Sequence, residues 1–300
     1  MQNILDTLRS EFSAWAWGVR RWLAFLGNRR RDTRFKVFPH WFTLLEWSAV
    51  LGSVILFAVL TADRLFLEAL AEGGAGSGFF AAITDAGKSG WILILTGFVL
   101  IVLSIVRSER FRGGARRAWH RAALVAWYLF FTVAASGITV NLLKLVFGRA
   151  RPEHVPEGRV WFTSHFTDNY DFGSFPSGHS TTAGALAMAL ALLFPRLRVF
   201  LLLAGAWLAV SRPVVGVHFP SDAIAGFVLG AAFSYFSARH LATYRLLFHF
   251  NEHGAVRIRG ERLASYRRFA WQLLQRDTWT RKPESTGSKT AISEDEKQGR

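Results

Sequence analysis

The sequence predicts an all-α protein: a six-transmembrane-helix bundle with amphipathic basic N- and C-terminal extensions. Two observations point there. Hydrophobic residues, 51% of the 300, gather in long blocks that are almost free of charge, as membrane spans must be. The Lys and Arg behind the net charge of +15 lie between those blocks and at the ends. A soluble chain this basic would suggest nucleic acid. Cations beside apolar spans instead suit the anionic face of a bilayer, so anionic phospholipid headgroups are the expected partners of the basic termini and nucleic acid is not. The chain has no cysteine, which removes disulfides and thiolate metal sites.

Taken in order, residues 1–40 form a basic, aromatic arm. Ile4, Leu8, Phe12, Trp15, Val19 and Leu23 recur at spacings of three and four, the pattern of an amphipathic surface helix. The stretch lacks the basic start, uninterrupted apolar core and cleavage site of a signal peptide. The first span is expected at Trp41–Leu60, opened by interfacial aromatics, and is followed by the flexible loop AEGGAGSG. The second covers Gly90–Val106, and a strongly basic connection follows. The third covers Ala122–Val146, the fourth His179–Phe194, the fifth Val199–Val217 and the sixth Asp222–Ala238. The six-span domain thus occupies 41–240. The tail, 241–300, is basic and amphipathic, read either as a surface helix or as a plain solubilising tail, and disordered from about 283.

Six spans put both termini on one side. Residues 1–40 carry eight Lys and Arg and the 107–121 connection six Arg. By the positive-inside rule these face the cytoplasm of an inner-membrane protein. The 148–178 loop and the 217–222 turn then share the extracytoplasmic face.

Three stretches on that face carry chemistry. In KLVFGRARP, Lys144 and Arg151 are seven apart, one helical face if the helix persists that far, and Pro152 ends it. In FPSGHS, Pro176 and Gly178 force a turn and His179 opens a span, so the backbone N–H groups of Ser177, Gly178 and His179 form an anion site. In SRPVVGVHFPSD, Ser221 is the expected N-cap of the sixth span. Asp222 can hydrogen-bond His218, which fixes the tautomer and frees the other ring nitrogen. Each stretch alone has a plainer reading: a snorkelling lysine, a capped helix start, a structural His–Asp contact. Together they place cationic donors, a nucleophile and a proton donor on one face, the set a phosphate ester needs. No carboxylate cluster suited to a catalytic metal lies beside them.

Lys144, Arg151 and Pro152, then Pro176 to His179, then Ser211, Arg212, His218 and Asp222, resemble the three-part signature of the type 2 phosphatidic acid phosphatase and vanadium haloperoxidase superfamily. The six-span layout is similar to its membrane branch. The resemblance implies that Lys144, Arg151, Ser177, Gly178 and Arg212 bind the phosphate. It implies that His218 is the nucleophile, Asp222 orients it and His179 protonates the leaving group, with no cofactor or metal. Pro213 is expected to bend the end of span five. Spans four and five are short, which places the site at headgroup depth and predicts a lipid-linked phosphate. Phosphatidic acid, phosphatidylglycerol phosphate, undecaprenyl diphosphate and lipid A phosphates are the substrates the resemblance implies. The competing readings are a catalytically silent lipid-binding relative and a vanadate-dependent haloperoxidase. Oligomeric state is not readable.

Overall fold

The computed structural model describes residues 31–72, 78–106, 111–156, 159–167 and 169–259, together with Trp271. The N-terminal arm up to residue 30 and the tail beyond 259, apart from Trp271, lie outside the described residues, as does most of the AEGGAGSG loop.

The described residues are mainly helical. Helices α1 (Trp41–Leu60) and α2 (Ala62–Ala71) run on as one apolar stretch of 31 residues. Helices α3 (Gly78–Thr84) and α4 (Ser89–Ile105), joined by a 3-10 turn at Asp85–Gly87, make a second of 28. Helices α5 (Gly113–Phe147) and α8 (Pro220–Thr243), and α7 (Arg198–Val214) together with the 3-10 turn Pro195–Leu197 before it, also suffice to cross a bilayer, and α6 (Gly178–Leu193) is the shorter sixth. The chain is an integral membrane protein: five of the six expected spans are long and apolar enough to cross a bilayer, and the sixth is the shorter apolar helix α6.

Helix α6 is the axis of the bundle, packed on α5, α7 and α8. Small residues bring the backbones together without a hydrophobic drive between helices. A Cβ on Gly184 would stand 2.0 Å from the Phe227 carbonyl oxygen, and one on Gly230 1.9 Å from that of Thr181. Helix α1, by contrast, leaves Trp47, Val50 and Phe57 exposed, as a lipid-facing surface requires. Several helices begin or end away from expectation. Helix α5 starts at Gly113 and absorbs part of the basic connection, because Arg and Ala there are good helix formers. Helix α2 continues into what was expected to be loop.

One end of the bundle is closed by an antiparallel hairpin, β1 (Phe248–Phe250) with β2 (Val256–Ile258), Phe248 opposite Ile258. This departs from the surface helix expected of the tail. Leu247, Phe248 and Phe250 are buried against Tyr128, Leu193 and Leu241. The alternation in Phe248–Phe250 puts both rings on one strand face. Asp32 fastens this end, with its N–H donating to the Thr243 carbonyl and its carboxylate accepting from Arg34 and Arg245. The Arg34 side chain holds that carboxyl below its usual range, against the opposing effect of burial. The opposite end gathers the C-termini of α5 and α7 and the N-termini of α6 and α8.

Candidate active site

Helix α5 stops where Gly148 takes a left-handed conformation (φ 54°) and its N–H donates to the Lys144 carbonyl. Arg151 is therefore not on the helix with Lys144, contrary to the expected shared face. It stands in extended backbone after it, with Ala150 N–H bonded to Phe162 O and Arg151 N–H to Asp171 O. Its guanidinium donates to the Tyr170 and Val217 carbonyls (3.1 Å each) and stacks 3.7 Å over the Tyr170 ring. The two residues still meet: Lys144 and Arg151 both line a cavity of about 430 Å³ with Asn141, Asn169 and Tyr170.

Ser177 caps α6, its hydroxyl accepting from the Ser180 N–H (3.4 Å) and hydroxyl (3.0 Å). Its own N–H is taken by the Asp222 carbonyl at 3.0 Å, so the expected row of three free N–H groups is reduced to Gly178 and His179, which a helix's first turn leaves without intrahelical acceptors. The Lys144 ammonium lies beside the start of α6: a Cβ on Gly178 would stand 3.8 Å from Nζ, in ordinary van der Waals contact. His179 is half-buried beside Gly87.

Pro213 falls in the last turn of α7, which remains helical to Val214. Arg212 is directed by Thr84, whose hydroxyl accepts from Nη1 at 2.9 Å and from the Ser211 hydroxyl at 3.1 Å. Arg212 Nε is buried without a hydrogen-bond partner among the described residues. A buried donor left without an acceptor is costly, and an anion would satisfy it.

Helix α8 begins two residues earlier than expected, so Phe219 is the N-cap and Ser221 lies inside the first turn. Asp222 Oδ2 reaches back to accept the Phe219 N–H at 3.0 Å. The same oxygen accepts from the Ser174 hydroxyl at 2.5 Å and faces His218 Nδ1 at 3.5 Å. Ser174 lies an equal 3.5 Å from that nitrogen. Burial drives the His218 imidazole down to about 4, opposed by its hydrogen bond and attraction to Asp222. The ring is thus neutral at neutral pH, with Nδ1 turned to the carboxylate.

Sequence reasoning missed the layer beneath. Arg149, fully buried, donates from Nη1 to Asp222 Oδ1 (2.6 Å) and the Ser221 hydroxyl (2.8 Å), and from Nη2 to Asp63 Oδ2 and the Val160 carbonyl (2.8 Å each). Its guanidinium carbon stands 3.9 Å from the Phe219 ring centroid. Asp63 in turn accepts from the Ser221 N–H and hydroxyl. The signal was present: an acid beside an apolar span is expensive. Asp63 falls three residues past the expected end of the first span, where the pattern reads as loop. Of the loop histidines, His165 Nδ1 lies 2.8 Å from the Val146 carbonyl and His154 lies 3.6 Å from Asp171. Asp168 is outside the described residues.

The PAP2 superfamily model matches residues 125–245. A lipid A 1-phosphatase of Rhizobium etli is 42% identical over 180 residues, covering 56% of this chain and 75% of that protein. The chain belongs to the PAP2 superfamily. A second lipid A 1-phosphatase, from Rhizobium johnstonii, is 43% identical over 169 residues, 55% of this chain and 68% of that one. A crystal structure of a transmembrane PAP2-type phosphatidylglycerolphosphate phosphatase from Bacillus subtilis is 20% identical, covering 63% of this chain and 92% of that chain at a TM-score of 0.43. The matched span contains the gathered residues, from Lys144 to Asp222. As a PAP2 protein the chain is a phosphatase, a membrane enzyme that acts on lipid phosphates.

Proposed function

We propose that this PAP2 phosphatase removes the 1-phosphate of lipid A through a covalent phosphohistidine, without a metal. The observation that carries a lipid substrate is the cavity at Lys144 and Arg151. Its polar end holds these two cations, and its other wall is Ile138, Leu142 and Leu145 of α5, apolar side chains left exposed to the bilayer. A phosphate can rest at the cations while the lipid's apolar part stays in hydrocarbon. Depth agrees. Helix α6 has 16 residues, about 24 Å of rise against a hydrocarbon layer of about 30 Å. On this reading its first turn lies at or slightly below headgroup level. The two rhizobial relatives support the choice of lipid A.

In this reading Lys144, Arg151, Arg212, Ser177 and the Gly178 backbone hold the phosphate oxygens. His218 Nε2 attacks phosphorus, and the bond from phosphorus to the lipid oxygen breaks. His179 gives its proton to that oxygen. Water then attacks the phosphohistidine, His179 takes one of its protons, and inorganic phosphate leaves with His218 regenerated. Asp222 holds Nδ1–H throughout. Preorganised donors aimed at the transferring group supply most of the stabilisation. We also propose that the termini are cytoplasmic, where their cations meet anionic headgroups, and that the site faces the opposite side of the inner membrane.

Phosphate release from lipid A 1-phosphate, phosphatidic acid and phosphatidylglycerol phosphate by purified protein in detergent tests this, with EDTA present. Lipid A is expected to be the best of the three, and His218→Ala to release none. Full release by His218→Ala would remove the nucleophile assignment. A preference for phosphatidic acid would remove the lipid A reading alone.

A further inference from the structure

We propose that Asp63 and Arg149 are positioning residues of the phosphatase: together they brace the Asp222 carboxylate against His218 and give the buried trio a net negative charge beneath the imidazole. The inference rests on His218 being the nucleophile.

Asp222 has two oxygens with different work. Oδ1 is held by Arg149 at 2.6 Å, and Oδ2 receives Ser174 and the Phe219 N–H and faces His218. With Oδ1 clamped, the carboxylate cannot turn away from the ring. An arginine placed there also does harm. Alone, it would pair with Asp222 and cancel the charge that His218 feels. Asp63 removes that cost. It takes the other guanidinium nitrogen at 2.8 Å and is fixed to the first turn of α8 by the Ser221 N–H and hydroxyl, at 2.9 and 2.5 Å. Asp63, Arg149 and Asp222 are all fully buried. With both carboxylates ionised, they and the guanidinium sum to −1, where little water screens them. When His218 takes the phosphoryl group its ring gains positive charge, and the surplus negative charge is then worth most.

The other titratable and charged groups facing the ring are Lys144 of α5, Arg151 of the segment after it and His179 of α6, with Arg212 at the end of α7 beside His179. None of them belongs to the brace, so they remain constant in a comparison of brace variants. The brace also joins segments far apart in sequence: Asp63 belongs to α2, Arg149 follows α5 and Ser221 opens α8.

The test is the pH profile of kcat for the full chain in detergent, with Asp63→Asn, Arg149→Met, the double variant and Asp63→Glu. All are assayed on one lipid phosphate, so that its own titration cancels. Asp63→Asn takes away negative charge and is expected to move the acid limb to lower pH. Arg149→Met takes away positive charge and is expected to move it higher. The double variant restores −1 and is expected to return the limb toward the wild-type position. Each single variant is expected to lower kcat about 10²-fold with KM nearly unchanged. A purely structural pair would alter yield and melting but would not split the limbs in opposite directions. Limbs that stay put, or move the same way, overturn the proposal. If a single variant does not fold, Asp63→Glu carries the test: lowered kcat with an unmoved limb supports the brace, and unchanged kcat or a moved limb overturns it. A dead His218→Ala beside a normal Asp63→Asn would sink the brace alone. An active His218→Ala would sink the nucleophile reading beneath it.

Discussion

At the scale of single residues, His218 carries the pH dependence. Its folded value, about 4, lies below the ordinary 6.5. Between those values the unfolded chain binds the proton and the folded chain does not. This contribution to stability is complete above pH 6.5 and is lost as pH falls toward 4. Melting in detergent should therefore drop through that window. His218→Asn should show a shallower drop, measured by thermal unfolding at a series of pH values. A second residue-scale prediction concerns Arg151. Its place is set by two carbonyls and the Tyr170 face, a planar fit that an ammonium does not reproduce. Arg151→Lys keeps the charge and should still lower kcat/KM on a lipid phosphate by about tenfold or more, read from initial rates. Recovery of wild-type rates by the lysine would mean that charge alone suffices there.

At the scale of elements, the site depends on how closely α6 and α8 approach. Ser177 N–H bonds to Asp222 O, so the N-cap of α6 hangs on the first turn of α8. Gly230 lies against the Thr181 backbone with no room for a methyl group. Gly230→Ala should destabilise the protein by about 1–3 kcal/mol and reduce activity by shifting the helix starts. The melting temperature and phosphate release of one preparation would check both. Gly148 is the other glycine with a specific demand. Its φ is +54°, and a Cβ would fall 1.9 Å from Ser164 O. That turn sends the chain back so that Arg149 and Arg151 enter the site from beside the helix. The sequence pattern does signal a helix end near Pro152, but it cannot say that the helix ends at Gly148 and that the arginines reach the site through a bend. The hairpin at 248–258 was similarly hidden. Its apolar residues also fit a helix face, and only burial against Tyr128 and Leu193 selects the strand pairing.

At the scale of the whole molecule, the proposed orientation can be read directly, because the chain has no cysteine. Phe166 lies in the site-side loop and is 80% exposed, while Arg257 is exposed on the hairpin at the other end. Phe166→Cys should react with a membrane-impermeant thiol reagent in spheroplasts, and Arg257→Cys only after the membrane is opened. Labelling of Arg257→Cys in intact spheroplasts would invert the proposed topology. The same two-ended construction separates roles: the end with Asp32, Arg245 and the hairpin holds the helices together, and the other end gathers the phosphate-binding candidates. Phe248 is fully buried at the holding end, so Phe248→Ala should cost about 3–5 kcal/mol with little change in KM. Melting and kinetics measured together would show the separation.

The sequence by itself determined the class of the molecule. Charge-free apolar blocks require spans whatever their packing, because unpaired charge in hydrocarbon is too costly. It also marked Lys144, Arg151, Ser177, Gly178, His179, Arg212, His218 and Asp222, since each stretch combines polar groups with a helix boundary. The tertiary structure decided which groups surround them. Thr84 aims Arg212, Ser174 donates to the Asp222 oxygen that faces His218, and Asp63 meets Arg149 across 86 residues. Hydrogen bonds act over about 3 Å of space and carry no trace of sequence separation, so partners this distant appear only when the helices that carry them are packed.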